Sequence, residues 1–345
     1  MEYDVNCELL AYKNFIIHRI NGDIEHIRER ILELAIDIKP DYIEIADYNA
    51  LGLLIAVNKW KYFHQSCIVT NCHTATREIF MWNTDKIFDH APDYLKQMSI
   101  QEEDQMKKSD YCIAPSTFLA RYIERNYNIT HNTIKVFANP YCNTYEIQSD
   151  IYARLANYYN LEEWKNSFNI ALITRFEPRK RQMDLIKSFI SLLKHDINAN
   201  LILAGDTTYD LFDKSDYRYK CYKSIPHQYR SKVFFYDFMD IKEQELIVAI
   251  TDLIVLPSPY ENQPYAMIQA IMSDIPVMAS KYSGIADYSD DVLLFDPFLQ
   301  DNLIHKINAY INTSTDEIIE IQKRQKETLQ TFIDPNLSIL PRFLL

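Results

Sequence analysis

Short β-branched and aromatic runs alternate with longer amphipathic stretches along most of this chain, and that rhythm admits few folds. "NFIIHRI" (14–20), "DYIEIAD", "SCIVTNC", "DYCIAPS" and "TIKVFAN" read as strands. "GDIEHIRERILELAIDI" reads as a helix with Ile24, Ile27, Ile31 and Leu34 on one stripe. "ALGLLIAVNKW", "SIQEEDQMKKS" and "TFLARYIERNY" are further helical patterns, and an irregular stretch precedes the second of them. Strand–helix alternation of this kind builds βαβ units and a mostly parallel sheet.

Asn139-Pro140 ends that series, and a polar, Tyr-rich connector follows with a helix near Tyr152–Trp164. A second series then runs through "FNIALIT", "NLILAG", "KVFFYDF", "DLIVLP", "IPVMAS" and "DVLLFD". Two such series in 345 residues predict an α/β protein of two Rossmann-like lobes facing across a cleft. The expected division is 1–140 for the first lobe, 141–165 for a hinge and 166–312 for the second lobe. Residues 313–345 are expected to form a helix and tail packing back on the lobes. Ligands of such sheets bind beyond the carboxyl ends of the strands.

Composition removes several alternatives. A net charge of −12 argues against a nucleic-acid surface. Only four glycines are present (Gly22, Gly52, Gly205, Gly284), so GxGxxG and P-loop phosphate sites are excluded. Six cysteines without CxxC spacing read as reduced, mostly buried thiols of a cytosolic protein. The first ten residues lack a signal-peptide pattern, and apolar runs such as "LGLLIAV" are too short to span a bilayer.

Three constellations carry chemistry. In "ITRFEPRKRQMDLIKSF", Arg175 follows a strand, Pro178 sits near the first turn of the next helix, and Arg179, Lys180 and Arg181 crowd its start. The helix dipole disfavours cations there, so an anion such as a diphosphate would suit them. The same pattern also fits a solvated basic helix start. In "SPYENQPYAMIQ", Glu261 lies in the exit turn of a strand, Asn262 or Gln263 can cap, and Pro264 suits the first helical position. The free N–H groups among residues 263–266, Pro264 having none, can meet phosphate, and Gln269 can face the same side. An ordinary loop acid and helix-surface amide remain the plain alternative. In "VTNCHTATREIF", His73 follows a strand's carboxyl end, a place where structural histidines are also common.

In this order the motifs resemble the retaining glycosyltransferases of family 4, which have the GT-B fold, across roughly residues 40–300. "KPDYIEIADYNALGLL", "VTNCHT", "SDYCIAPSTFLARYI" and "IKVFANP" resemble the family's first lobe. "TRFEPRKRQMDLIKSF", "NLILAGD", "KVFFYDFMD" and "DLIVLPSPYENQPYAMIQAIMSDIPVMASKYSGIADY" resemble its second. The resemblance implies a nucleotide-diphosphate-sugar donor, with Arg175 and Lys180 on the diphosphate, Glu261 on the donor sugar and His73 near the transferred sugar. Around these it gathers Asn262, Gln263, Pro264, Tyr265, Gly205 and Asp237 on the donor side. Gln269 stands where the family has a ribose-binding Glu. Asp237 and Asp274 stand where Gly is usual. The first lobe is expected to lack its first strand or strands.

The implied reaction is transfer of a hexosyl group, with retention, to a glycan or lipid-linked acceptor. The donor phosphate takes the acceptor proton while Arg175 and Lys180 stabilise the leaving diphosphate. No cofactor is expected and no metal, since Asp-x-Asp is absent. The expected location is the cytoplasm, with peripheral contact at the inner face of the membrane and a partner glycosyltransferase as further expectations. No nucleic acid is expected. A catalytically inactive GT-B homologue serving as scaffold or partner subunit is the rival reading, motivated by Gln269, the two aspartates and the expected lack of the first strand.

Overall fold

The alternation becomes two units of sheet and helix in a computed structural model of the chain. One holds residues 1–81 and 86–136, the other residues 82–85 and 137–345. The structure describes residues 8–12, 15–129, 134–139, 164, 166–209, 215–237, 241–299 and 301–333. The expected connector helix near Tyr152–Trp164, apart from Trp164 itself, and the C-terminal tail from 334 lie outside the described residues.

The first unit is built on a parallel sheet of β3 (Tyr42–Ala46), β4 (Cys67–Asn71), β5 (Tyr111–Ala114) and β6 (Ile134–Val136), in that order. The segment expected as a leading strand of this sheet is instead β2 (Phe15–Arg19) of a separate antiparallel hairpin with β1 (Glu8–Tyr12). Tyr12 pairs with Phe15. A two-residue connection can join only antiparallel neighbours, which keeps this segment from a parallel register with its predecessor.

Helix α1 (Ile24–Ile38) starts at Asp23, whose carboxylate accepts from His26 N at 2.9 Å, and ends at Lys39 in the left-handed region with φ 53°. Its buried side differs from the expected stripe: Arg28 and Ala35 are buried, and Ile31, Leu32 and Ile36 join the cluster of Ile43, Ile45, Ile55, Phe63 and Ile68. The turn is drawn round by Arg28, which donates to Asn49 O at 2.6 Å and Gln101 Oε1 at 2.9 Å. The pattern 50–60 divides at Asn58 into α2 (Leu53–Val57) and α3 (Lys59–Tyr62). The stretch read as irregular holds α4 (Thr76–Thr84) and the early turns of α5 (Asp93–Lys108); α6 (Thr117–Tyr127) follows. Buried polar groups of α5 fasten the loop after β3. Glu102 accepts from Asn49 N and Thr76 N at 2.9 and 2.8 Å, and Gln105 accepts from Gly52 N at 2.7 Å.

The second unit has a six-stranded parallel sheet in the order β12-β11-β10-β7-β8-β9. Its strands are β7 (Phe168–Ile173), β8 (Ala199–Ala204), β9 (Val233–Tyr236), β10 (Leu253–Leu256), β11 (Val277–Ser280) and β12 (Leu294–Phe295). All six match the expected runs. The inner strands are buried on both faces, so they read as continuous apolar sequence. Helices α7 (Gln182–Leu193), α8 (Tyr217–Lys223), α9 (Ile241–Ala249) and α10 (Tyr265–Met272) connect strands of this sheet, and α11 (Asn302–Ile311) follows β12. The order is that of a doubly wound sheet, with its reversal between β7 and β10. Helix α12 (Thr315–Phe332) is fixed by Gln325, which accepts from Val277 N at 3.0 Å and donates to Val277 O at 2.9 Å. Among the described residues, no helix is long and apolar enough to cross a membrane. Described cysteines 67, 72, 112 and 221 are free thiols, while Cys7 and Cys142 lie outside the described residues.

Candidate functional site

Where the strand order reverses, the chain leaving β7 and the chain leaving β10 lie side by side, because these strands are neighbours in the sheet. After β7 the backbone stays extended: Thr174 N donates to Ala204 O at 2.9 Å and Phe176 N to Asp206 O at 2.7 Å. Pro178 then opens a 3-10 turn, Pro178–Lys180, rather than the following helix. A left-handed Arg181 (φ 56°) separates that turn from α7. Two turns of different pitch joined at a kink direct Arg179 and Lys180 inward instead of outward.

The exit from β10 is equally enclosed. Ser258, Tyr260, Glu261, Asn262 and Gln263 are all buried. Glu261 lies in that exit turn, where its backbone bridges to Ser283 in parallel fashion and its carbonyl accepts from Gly284 N at 2.9 Å. That second pairing carries Glu261 inside, with its side chain 11% exposed. Pro264 is the N-cap of α10 rather than its first residue, and no side chain caps that helix. Neither Asn262 nor Gln263 therefore fills the expected capping role. Proline's fixed φ (−71° here) is compatible with an extended N-cap at ψ 119°.

Four charges meet inside this pocket of backbone. Arg179 donates to Glu261 Oε2 at 3.2 Å, to the Tyr260 carbonyl at 3.1 Å and to Glu177 Oε1 at 2.7 Å. Lys180 Nζ donates to the same Glu261 Oε2. Arg175 stands at the rim, 64% exposed, 3.8 Å from Glu177 Oε1. Burial would push the Glu261 carboxyl up, but Lys180 and Arg179 more than reverse this and hold it below the ordinary carboxylate range. Burial lowers Lys180, and Arg179 adds to that effect against the pull of Glu261. Arg179 and Lys180 are balanced by Glu177 and Glu261, and Arg175 at the rim adds a further cation.

Of the expected residues, the structure joins Lys180 and Glu261 directly and places Arg175 at their edge. Gln263 Oε1 accepts from Asn139 N at 2.5 Å. Tyr265 is exposed in the first turn of α10, and Gln269 is half-buried one turn on. Gly205 ends β8 with φ +146°, and a Cβ there would lie 2.1 Å from Thr174 O. This glycine is what lets β8 leave beside the Arg175 turn. Asp237 pairs with Arg218. Asp274 has φ 62° and pairs with Lys326 at 2.8 Å, so a left-handed position normally filled by Gly is held by an Asp. His73 belongs to the first unit. Its N–H donates to Asp47 Oδ2 at 3.0 Å, and burial holds its imidazole below the ordinary value against Glu44.

Two members of the site were not singled out by sequence. Glu177 is buried between Arg179 and Arg175, and Gln182 Nε2 ties down the Arg175 carbonyl at 2.8 Å. An acid two residues ahead of a basic pair was the available signal for Glu177. Arg179, an oxygen-gripping cation in the sequence reading, is engaged by two carboxylates and a carbonyl instead.

Residues 160–328 match the family model described as Glycosyl transferases group 1. The structure is similar to sucrose-phosphate synthase from Thermosynechococcus elongatus, with a TM-score of 0.71 and 16% identity over 93% of this chain and 78% of that one. It is also similar to Anabaena HepE in complex with UDP-glucose, with a TM-score of 0.65 and 18% identity over 90% of this chain and 78% of that one. A curated relative, an uncharacterized 41.2 kDa protein in the cps region of Klebsiella pneumoniae, is 22% identical over 57% of this chain. The match spans 50% of that relative's length. The α/β architecture of two parallel-sheet, Rossmann-like units is that of the GT-B fold. The family match lies within the second unit, and the similar solved structures share the GT-B fold.

Proposed function

We propose that the chain transfers a sugar from a nucleotide-diphosphate-sugar to a hydroxyl of a glycan or lipid-linked acceptor, with retention of anomeric configuration and without a metal. One observation carries this reading: Lys180 and Arg179 converge on a single buried oxygen of Glu261 at the point where the sheet reverses its strand order. Doubly wound sheets bind phosphorylated ligands at that point. Arg175, exposed at the rim, supplies a further cation for a diphosphate. The UDP-glucose in the HepE complex supports a nucleotide sugar as donor.

In this reading Arg175 and Lys180 take the diphosphate and stabilise the negative charge that grows as the glycosidic bond breaks. Glu261, ionised and fixed, accepts from the sugar hydroxyls. Metal independence is proposed from the lack of an Asp-x-Asp pair. The role of His73 is proposed on the family resemblance alone, as are family 4 membership, cytoplasmic location with peripheral membrane contact, and a partner glycosyltransferase. Of the features behind the scaffold reading, Asp237 and Asp274 each have a basic partner, Arg218 and Lys326. The test is release of UDP or GDP from their glucose, galactose and mannose conjugates by the purified chain. Release of one of them above the protein-free rate is expected, and none from any conjugate, with water or a disaccharide as acceptor, contradicts an active transferase.

A further inference from the structure

Arg179 and Lys180 share one acceptor oxygen but are held in different ways. Arg179 is seated by three bonds, to Tyr260 O, Glu261 Oε2 and Glu177 Oε1. Lys180 has Glu261 as its only partner among the described residues. A guanidinium fork with three acceptors is fixed, whereas an ammonium on a four-carbon stem with one acceptor can turn away. The carboxylate therefore keeps a counter-charge whether or not Lys180 stays.

We propose that Arg179 is a positioning residue: it anchors Glu261 from a fixed seat and thereby frees Lys180 to leave that carboxylate for an incoming anion. The identity of that anion as the donor diphosphate rests on the reading above; the freeing of Lys180 does not. Without Arg179, Lys180 would be the sole counter-charge of Glu261 and would no longer feel a neighbouring cation. Both changes tie it down. The charged groups facing Lys180 are Glu261, Arg179 and Glu177, with Arg175 beyond Glu177. Removing Arg179 is the one change among them that relieves like-charge repulsion and competition together.

The experiment is the pH profile of Lys180 acetylation by an N-hydroxysuccinimide ester, read by peptide mass spectrometry on the full chain. Only the neutral amine reacts. Arg179→Gln should move the profile to higher pH and slow labelling at pH 8 about tenfold, because loss of a nearby cation favours the charged amine. Arg179→Lys keeps a nearby cation without the fork, so its profile should fall between those of wild type and Arg179→Gln. Labelling in Arg179→Gln that is unchanged or faster, as a merely loosened structure would give, overturns the proposal. Should Arg179→Gln not fold, the double variant Arg179→Gln/Glu261→Gln is compared with Glu261→Gln, and equal labelling rates overturn it.

Calorimetry with UDP and GDP adds a second arm. Arg179→Gln should weaken nucleotide binding about tenfold, and adding Glu261→Gln should restore most of it by releasing Lys180. A double variant as weak as the single one counts against the proposal. If the wild-type chain binds neither nucleotide, the donor reading fails while the labelling arm still decides the role of Arg179.

Discussion

Lys180 lies just beyond the first strand of the second sheet and Glu261 just beyond the fourth, and their side chains pair across the reversal of strand order. Both are nearly enclosed, with side-chain exposures of 9% and 11%. A buried pair of this kind contributes little net stability by itself, but removal of one partner is costly.

That asymmetry gives a first expectation. Glu261→Gln leaves Arg179 and Lys180 without their shared carboxylate and should destabilise the chain by about 3–5 kcal/mol at pH 7. Urea unfolding measures this, and wild-type stability in the variant would contradict the charge pattern. The folded value of Glu261 is depressed below its ordinary 4.5. Its contribution is therefore present above pH 4.5 and lost as pH falls through the folded value, and the variant should lack that acid-side loss.

The first unit should respond to pH in the opposite sense. Burial, reinforced by Glu102 and Glu78 and opposed by the His73 N–H, pushes Asp47 up to about 7. Burial also pushes Glu78 up to about 7, against the Tyr127 hydroxyl. Folding thus favours their protonated forms. Stability from these groups is complete near pH 4 and falls as pH rises towards 7, by at most about 1.4 kcal/mol per pH unit for each group. Asp47→Asn and Glu78→Gln should each flatten the slope of unfolding free energy between pH 5 and 7. Slopes equal to wild type would show that neither carboxyl holds its proton in the folded state.

Gly205→Ala tests the backbone beneath the site. The new Cβ would meet Thr174 O at 2.1 Å on a residue with φ +146°. A loss of about 2 kcal/mol or more is expected by denaturant titration. Full stability would mean that the β8 exit can move away from the Arg175 turn without cost.

Gln269→Glu restores the carboxylate that the family places on the ribose. If α10 presents residue 269 to the nucleoside, affinity for UDP or GDP should rise severalfold, since a carboxylate accepts two hydroxyls where the amide offers one acceptor oxygen. Unchanged affinity would remove Gln269 from the donor site.

The second sheet was legible because strands buried on both faces, such as Ile170–Leu172 and Leu253–Leu256, appear as unbroken apolar runs. The hairpin was not, since "NFIIHRI" has the same local pattern whichever way its neighbour runs; pairing direction is set by the two-residue connection before it. At the site, Arg175, Lys180 and Glu261 were visible as residues at strand ends. Their charge balance was not. Glu177 and Glu261 stand 84 positions apart, and only the adjacency of β7 and β10 brings both carboxylates to Arg179. Asp274 shows the same limit from another side. An aspartate in a glycine position reads as a hostile charge, whereas in three dimensions it is a left-handed residue paired with Lys326.

The most direct measurement is calorimetric titration of the chain with UDP and GDP, before and after Lys180→Ala. Saturable binding of one nucleotide by the wild-type chain, weakened at least tenfold by the substitution, is the expected result. Equal affinity in both proteins, or no heat of binding in the wild type, would contradict a phosphate-binding Lys180.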